Sequence, residues 1–348
     1  MNPNTLIPST EPIPVAAEIF IVLEQLFFLI HIVIINMILG TGLILLYKWN
    51  RKSNFFDINK PVAGKIPILF ALGINMAIPA LLFLQVVFGH LFYTSSILMG
   101  TFWILIIPLL IIAYYSSYYN YKKFEVSKNS KYALVLMIFI ILYIAFMLVN
   151  NLSMMEMPEK WTTYFSNRDG TILLWSVSSI YPRFFHFLVA SVAIGGISYS
   201  LYFSRKANSE ENVTEGLKVF AYATMIQIAV GFWFLLSLPQ QVMQKFMGQD
   251  IIATTSLLLG IVTAFVAVFL SLKGQLRSTI VMLVATLIFM VINRYNLRVF
   301  HIGENFSIAQ LKVEPQWDVF VIFVLILLIG VFVIFYMLKI AFPGGVKR

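Results

Sequence analysis

Residues 31–47 read HIVIINMILGTGLILLY and residues 186–202 read HFLVASVAIGGISYSLY. Each stretch opens on a histidine, meets a glycine nine residues on (Gly40, Gly195) and a tyrosine sixteen residues on (Tyr47, Tyr202). Each lies inside an apolar run longer than the about 20 helical residues needed to cross roughly 30 Å of hydrocarbon. In lipid a backbone amide has no partner unless its own segment or a closed barrel supplies one, and nothing here alternates as a barrel strand does. The two stretches therefore predict an all-α membrane protein with an internal repeat.

Extended along the chain, the same reading predicts a polytopic transmembrane helical bundle of nine spans. They lie near 17–47, 66–92, 95–118, 132–150, 172–203, 215–239, 251–272, 278–295 and 317–341. Spans one and five, which hold the two histidines, run in the same direction, so the repeat is parallel. It divides the chain into a first four-helix bundle over 1–150, a second over 172–295, and a ninth span with the C-terminal tail over 317–348. Phe70-Ala71 in span two against Phe220-Ala221 in span six lends the repeat weaker support.

Composition agrees, because 11% of the 348 residues are charged against roughly 25% in an ordinary soluble domain. The chain is 60% hydrophobic with a mean hydropathy of +0.89, and no stretch remains for a separate soluble domain. The absence of cysteine excludes disulfides, thiolate-held iron–sulfur clusters and covalently attached c-type haem. Any haem is then non-covalent. The first 16 residues lack the basic start of a cleaved signal peptide, and the first span is expected to stay. No Walker loop, dinucleotide glycine fingerprint or HExxH motif occurs.

The net charge of +9 does not point to nucleic acid, because the lysines and arginines sit in short loops, where they set orientation. With the N-terminus outside, the inner segments hold Lys48, Arg51, Lys52, Lys60, Lys65, Lys122, Lys123, Lys128, Lys131, Arg205, Lys206, Lys218, Lys273, Arg277, Lys339, Lys347 and Arg348. Only Lys160, Arg168, Arg183, Lys245, Arg294, Arg298 and Lys312 fall elsewhere. This asymmetry predicts an outside N-terminus and a cytoplasmic C-terminus in a bacterial cytoplasmic membrane. The outer loops near 151–171 and 296–316, which mix aromatic, acidic and basic residues, are the expected docking surfaces.

An ionisable side chain inside a bilayer is costly, so a histidine there is read first as functional: a haem ligand, a proton relay or a quinone contact. Counted from the expected outer ends, His31 and His186 each lie roughly 14 residues, about 21 Å, into their helices. For these two a hydrogen-bonded structural role ranks second. The order reverses for His90, at the outer end of span two, and for His301, in the outer loop before span nine. Gly40, Gly42, Gly195 and Gly196 leave room for a macrocycle between helices, although small residues serve helix packing as well. Glu24 precedes His31 by seven residues on the same stripe. It is either a proton relay or a carboxylate reaching a nearby arginine or the headgroup zone. Arg183, one turn outward from His186, either pairs with a haem propionate or snorkels to the interface. The same two readings apply to Arg294 and Arg298. Met99 and Met225 are weaker candidates for a sixth iron ligand, and Pro79, Pro108 and Pro182 mark expected kinks.

In topology over nearly the whole chain, and locally in LFFLIHIVIINMILGTGLILL (26–46), LFALGINMAIPALLFLQVVFG (69–89) and RFFHFLVASVAIGG (183–196), the sequence resembles subunit I of the cytochrome bd quinol oxidases. The resemblance implies that His31 and His186 are axial ligands of haem b and that Arg183 is the basic residue accompanying the latter. It also implies a quinone partner. The departures are specific. Span three, SSILMGTFWILIIPLLIIAYY (95–115), has no carboxylate, and span eight offers only Asn293 and Arg294 where that family has a glutamate. The start of span seven, IIATTSLLLG (251–260), lacks the family's methionine ligand, and PQQVMQKFMGQD (239–250) replaces its long quinol-binding loop. The resemblance therefore implies a relative that does not reduce oxygen. The expected function is a haem b membrane subunit passing electrons between the quinone pool and an outer-side carrier, a c-type cytochrome of the same complex. Two other classes stay open. One is a haem-free anchor or proton-translocating subunit using Glu24, His31 and His186; the other is a small-molecule transporter.

Overall fold

The computed structural model describes residues 3–49, 55–125 and 129–341. Arg51, Lys52, Lys128, Lys347 and Arg348, which contribute to the charge asymmetry, lie outside the described residues. Eleven α-helices follow one another among the described residues: α1 (Ala17–Lys48), α2 (Phe55–Ala63), α3 (Ile66–Leu98), α4 (Gly100–Lys122), α5 (Asn129–Glu156), α6 (Ile180–Phe203), α7 (Glu210–Leu236), α8 (Gln240–Gln244), α9 (Ile251–Leu272), α10 (Leu276–Ile302) and α11 (Trp317–Ala341). Nine of these, all but α2 and α8, are long and apolar enough to cross a membrane. The chain is an all-α polytopic bundle and an integral membrane protein. Its N-terminal side is the one at which α1 begins and α3, α5, α7 and α10 end.

The bounds of α9 and α11 coincide with those expected, and both ends of α9 are marked by local chemistry. Asp250 caps α9 by accepting from the Ala253 amide at 2.9 Å. Gly274, at φ +74, turns the chain from α9 into α10. Elsewhere the expected bounds need correction. Helix α6 begins at Ile180 rather than near 172. The preceding segment is apolar but is held as a turn, its Leu174 amide bound to Asn150 Oδ1 at 2.9 Å and its Ile172 amide to the Leu98 carbonyl at 3.1 Å. Helices α5 and α10 run past their expected ends to Glu156 and Ile302, which places Ser153, Glu156, Arg298 and His301 on helix. His301 is therefore not in a loop. Pro79 lies inside α3 without breaking it; the non-helical residue is Phe88, at φ −118 and ψ 20.

Helices α1, α3, α4 and α5 pack on one another, as do α6, α7, α9 and α10, and the two groups meet chiefly where α1 lies against α6. That contact is backbone on backbone. A Cβ added to Gly40 would stand 1.8 Å from the Ser191 carbonyl oxygen, and one added to Gly195 would stand 2.6 Å from Gly40 Cα. The two glycines occupy equivalent places in the repeat, so the crossing is its local pseudo-symmetry element. Asn36 and Ser191, each five residues past its histidine, join beside it at 3.0 Å. At the opposite side the seam is locked by Lys48, buried, which donates to Tyr199 Oη at 3.0 Å and to Glu215 at 2.5 Å. Close by, Trp49, Phe55 and Phe124 stack with centroids 5.2–5.6 Å apart, fixing α2 against the end of α4.

Helix α11 is peripheral: none of its most apolar stretch is buried. It touches the first bundle through Phe323, whose ring lies 5.7 Å from that of Phe83. On the N-terminal side a short clasp precedes it. The Ile13 amide binds the Lys312 carbonyl at 2.9 Å, the Glu314 amide binds the Ile13 carbonyl at 2.9 Å, and the Gln316 amide binds the Pro14 carbonyl at 3.1 Å.

Candidate functional site: two histidines beneath a buried charge cluster

Because α1 and α6 run parallel and touch at Gly40 and Gly195, residues nine positions before those glycines stand at equal height, about 13.5 Å above the crossing. They are His31 and His186, both partly buried. Equal depth from the helix ends, expected from sequence, does not hold. His31 lies fourteen residues past Ala17, about 21 Å, whereas His186 lies only six past Ile180, about 9 Å. The crossing, not the helix start, sets their level.

The His31 ring approaches α3, where Nδ1 donates to the Gly73 carbonyl at 2.9 Å. The His186 ring approaches α7, with the Phe234 ring centroid at 6.4 Å. Its Nδ1 is buried and has no hydrogen-bond partner among the described residues. A Cβ on Gly231 of the same helix would meet His186 Cε1 at 3.4 Å and Nδ1 at 3.7 Å.

Toward the N-terminal side of this level, buried ion pairs gather from four helices. Glu24 of α1, 4% exposed, accepts from Arg294 Nη1 at 3.1 Å and Arg298 Nη2 at 3.2 Å, both on α10, and from the Gln25 amide. Of the two readings of Glu24, the geometry is that of a carboxylate gripped by arginines. Arg294 also lies 3.5 Å over the Phe28 ring, and Arg298 lies 5.2 Å over Phe88, at the kink of α3. Arg183 of α6 does not reach outward to an interface. It forms a fork with Glu156 of α5, at 2.8 and 3.2 Å, and donates to Ser153 at 2.9 Å. Sequence reasoning passed over Glu156, since the apolar run of span four stops short of it. Arg298 and Glu156 are each 1% exposed.

Three guanidiniums face two carboxylates here, which leaves one positive charge in excess. Among the described residues, Arg298 Nε and Nη1 are buried without hydrogen-bond partners, as are the side-chain amide nitrogens of Asn293 and Asn296 on the same helix. His90 sits just beyond the α3 kink with its ring 4.5 Å from that of Phe306. Met99 closes the turn between α3 and α4, fully buried, while Met225 is exposed on α7.

Among the described residues no three His, Asp, Glu or Cys side chains converge on a bare ion site. Haem asks less of the protein, since the macrocycle holds its own iron and needs one or two axial ligands with partners for its propionates. On that test the residues fit. Hydrogen bonding to Gly73 fixes His31 as the Nδ1–H tautomer, which leaves the Nε2 lone pair for iron, and the orphaned donors of Arg298 suit a carboxylate. Neither a protein-family model nor a curated protein matches this chain. Its function is therefore read from the site alone.

Proposed function

We propose that the chain is a haem b membrane subunit, resembling subunit I of the cytochrome bd quinol oxidases, that passes electrons between the quinone pool and a c-type cytochrome on the outer side. The observation that carries this reading is the pair of repeat-related histidines at one level, with the His31 tautomer fixed for metal ligation by Gly73. Haem supplies one-electron chemistry when bound. The chain's own residues would do the rest: His31 and His186 would each hold a haem iron, and the arginines of the charge cluster would supply donors and positive field for propionates. The apolar helices around them keep water away.

The basic residues that the structure describes between α1 and α3, after α4 and between α6 and α7 collect on the side opposite the N-terminus. By the positive-inside rule that side is cytoplasmic, and the charge cluster and both histidines lie toward the exterior of a bacterial cytoplasmic membrane. The segment Pro158–Phe165, which bears Lys160 and exposed Tyr164 and Phe165, and residues 303–316, which bear Lys312, then face the outer carrier. Spans three and eight lack the glutamates of the oxidases it resembles, and on that resemblance the subunit does not reduce oxygen.

A reduced-minus-oxidised visible spectrum of the purified protein tests the reading. Bands of b-type haem are expected. Their absence from protein produced with adequate haem supply would remove it, leaving a haem-free proton-translocating subunit or a transporter. For a proton relay, the grip of two arginines on Glu24 is unfavourable, because it fixes the carboxylate in place.

A further inference from the structure

The two histidines that the repeat makes equivalent have unlike neighbours. Each is covered by the next membrane-spanning helix in the chain, α3 for His31 and α7 for His186, and in each case a glycine brings that helix close. At His31 the approach delivers an acceptor. A Cβ at Gly73 would press on Ile35 Cδ1 at 3.2 Å and Ile34 Cγ2 at 3.3 Å, so glycine lets the α3 backbone come near enough for its carbonyl to take the Nδ1 proton at 2.9 Å. A carbonyl only accepts, so His31 Nδ1 must carry the proton and Nε2 the lone pair. At His186 the approach delivers none: Nδ1 is buried without a partner among the described residues and faces the bare Cα side of Gly231.

We propose that Gly73 and Gly231 set the two sites apart, the Gly73 carbonyl making His31 the more electron-rich imidazole and Gly231 denying His186 an acceptor, so that iron at His31 has the lower reduction potential. The physical link is that a hydrogen bond from Nδ1–H raises the basicity of the other ring nitrogen, and a more basic axial ligand favours ferric over ferrous iron. Neither glycine touches iron; both are positioning residues. The order of potentials rests on the haem reading above, whereas the tautomer at His31 stands on protein geometry alone.

Gly231→Ser and Gly231→Ala test the inference together. Both add a Cβ at ordinary contact distance from the His186 ring, 3.4 Å from Cε1, so both are expected to fold. Only serine brings an oxygen, one bond length beyond a Cβ that stands 3.7 Å from Nδ1 and thus within hydrogen-bonding reach. The first measurement is nitrogen-15 NMR of histidine-labelled, haem-free chain in lipid, its four histidines assigned by single His→Ala variants. His31 is expected as a hydrogen-bonded Nδ1–H tautomer, and Gly231→Ser but not Gly231→Ala should give His186 the same signature. The second is a redox titration of haem-loaded protein, with His31→Ala and His186→Ala assigning the two potentials. The His31 site should titrate lower, and Gly231→Ser, unlike Gly231→Ala, should lower the His186 site toward it. An Nε2–H tautomer at His31, or equal shifts from serine and alanine, overturns the inference while leaving the haem reading intact. A protein that takes up no haem overturns that reading and the order of potentials with it, and the NMR result then stands as a statement about the histidines alone.

Discussion

Glu24 is one carboxylate gripped by two arginines in a region shielded from water, and its loss has a definite cost. Breaking a buried pair strands the remaining charge, which typically costs about 3–5 kcal/mol. Glu24→Gln should therefore lower the unfolding temperature in detergent markedly, and adding Arg298→Met should recover part of the loss. Recovery in the double variant separates charge stranding from lost packing. Arg183 behaves alike. Its partner Glu156 is 1% exposed, so Arg183→Ala strands a buried carboxylate and is expected to destabilise the fold by a similar amount, beyond any effect on haem. His31→Ala and His186→Ala should instead reduce bound haem, read as b-type absorbance per protein, while membrane insertion persists, because insertion depends on the apolar spans. Unchanged absorbance and spectrum in both histidine variants would shift attention to His90. The histidines were legible in the sequence from spacing alone. The partners of the arginines were not, because Glu24 and Arg298 lie 274 positions apart and only the folded bundle joins them.

At the level of elements, the crossing of α1 on α6 depends on two missing side chains. Gly40→Ala and Gly195→Ala each place a Cβ inside 3 Å of the opposing backbone, which cannot rotate away. Either should sharply lower the yield of monodisperse protein in detergent. Gly330→Ala in α11, with nothing within 4 Å of its Cβ, should leave it unchanged. Equal behaviour of the three variants would mean that the helices do not meet as described. Helix bounds were readable where local chemistry marks them, as Asp250 and Gly274 do around α9. They were misread where polarity and structure part company. At 172–179 apolar residues form a turn, because backbone amides there find partners in Asn150 and Leu98. Through Asn293, Arg294 and Arg298 a polar stretch stays helical, because Ser256 and Glu24 meet its side chains.

For the molecule as a whole, the proposed orientation rests on where the lysines lie, and the absence of cysteine makes it directly measurable. Lys123→Cys, at the end of α4, should resist a membrane-impermeant thiol reagent in intact cells, while Lys312→Cys, exposed before α11, should react. The reverse pattern would invert the proposed topology. At the same scale, the proposed likeness to quinol oxidases without their span-three and span-eight glutamates predicts that purified protein given quinol consumes no oxygen, and robust cyanide-insensitive oxygen uptake would overturn that reading. Finally, the clasp between residues 13–14 and 312–316 constrains the order in which the molecule is made. It closes a circuit of about 300 residues, whose entropic cost grows only with the logarithm of its length, yet its second half is made only after the first eight spans. Those spans are therefore free to enter the membrane before the clasp can form. Helix α11 then arrives as a late seal, drawn to the N-terminal segment by three backbone hydrogen bonds and to the bundle by Phe323 against Phe83, with Phe320, Leu327 and Ile334 packed alongside.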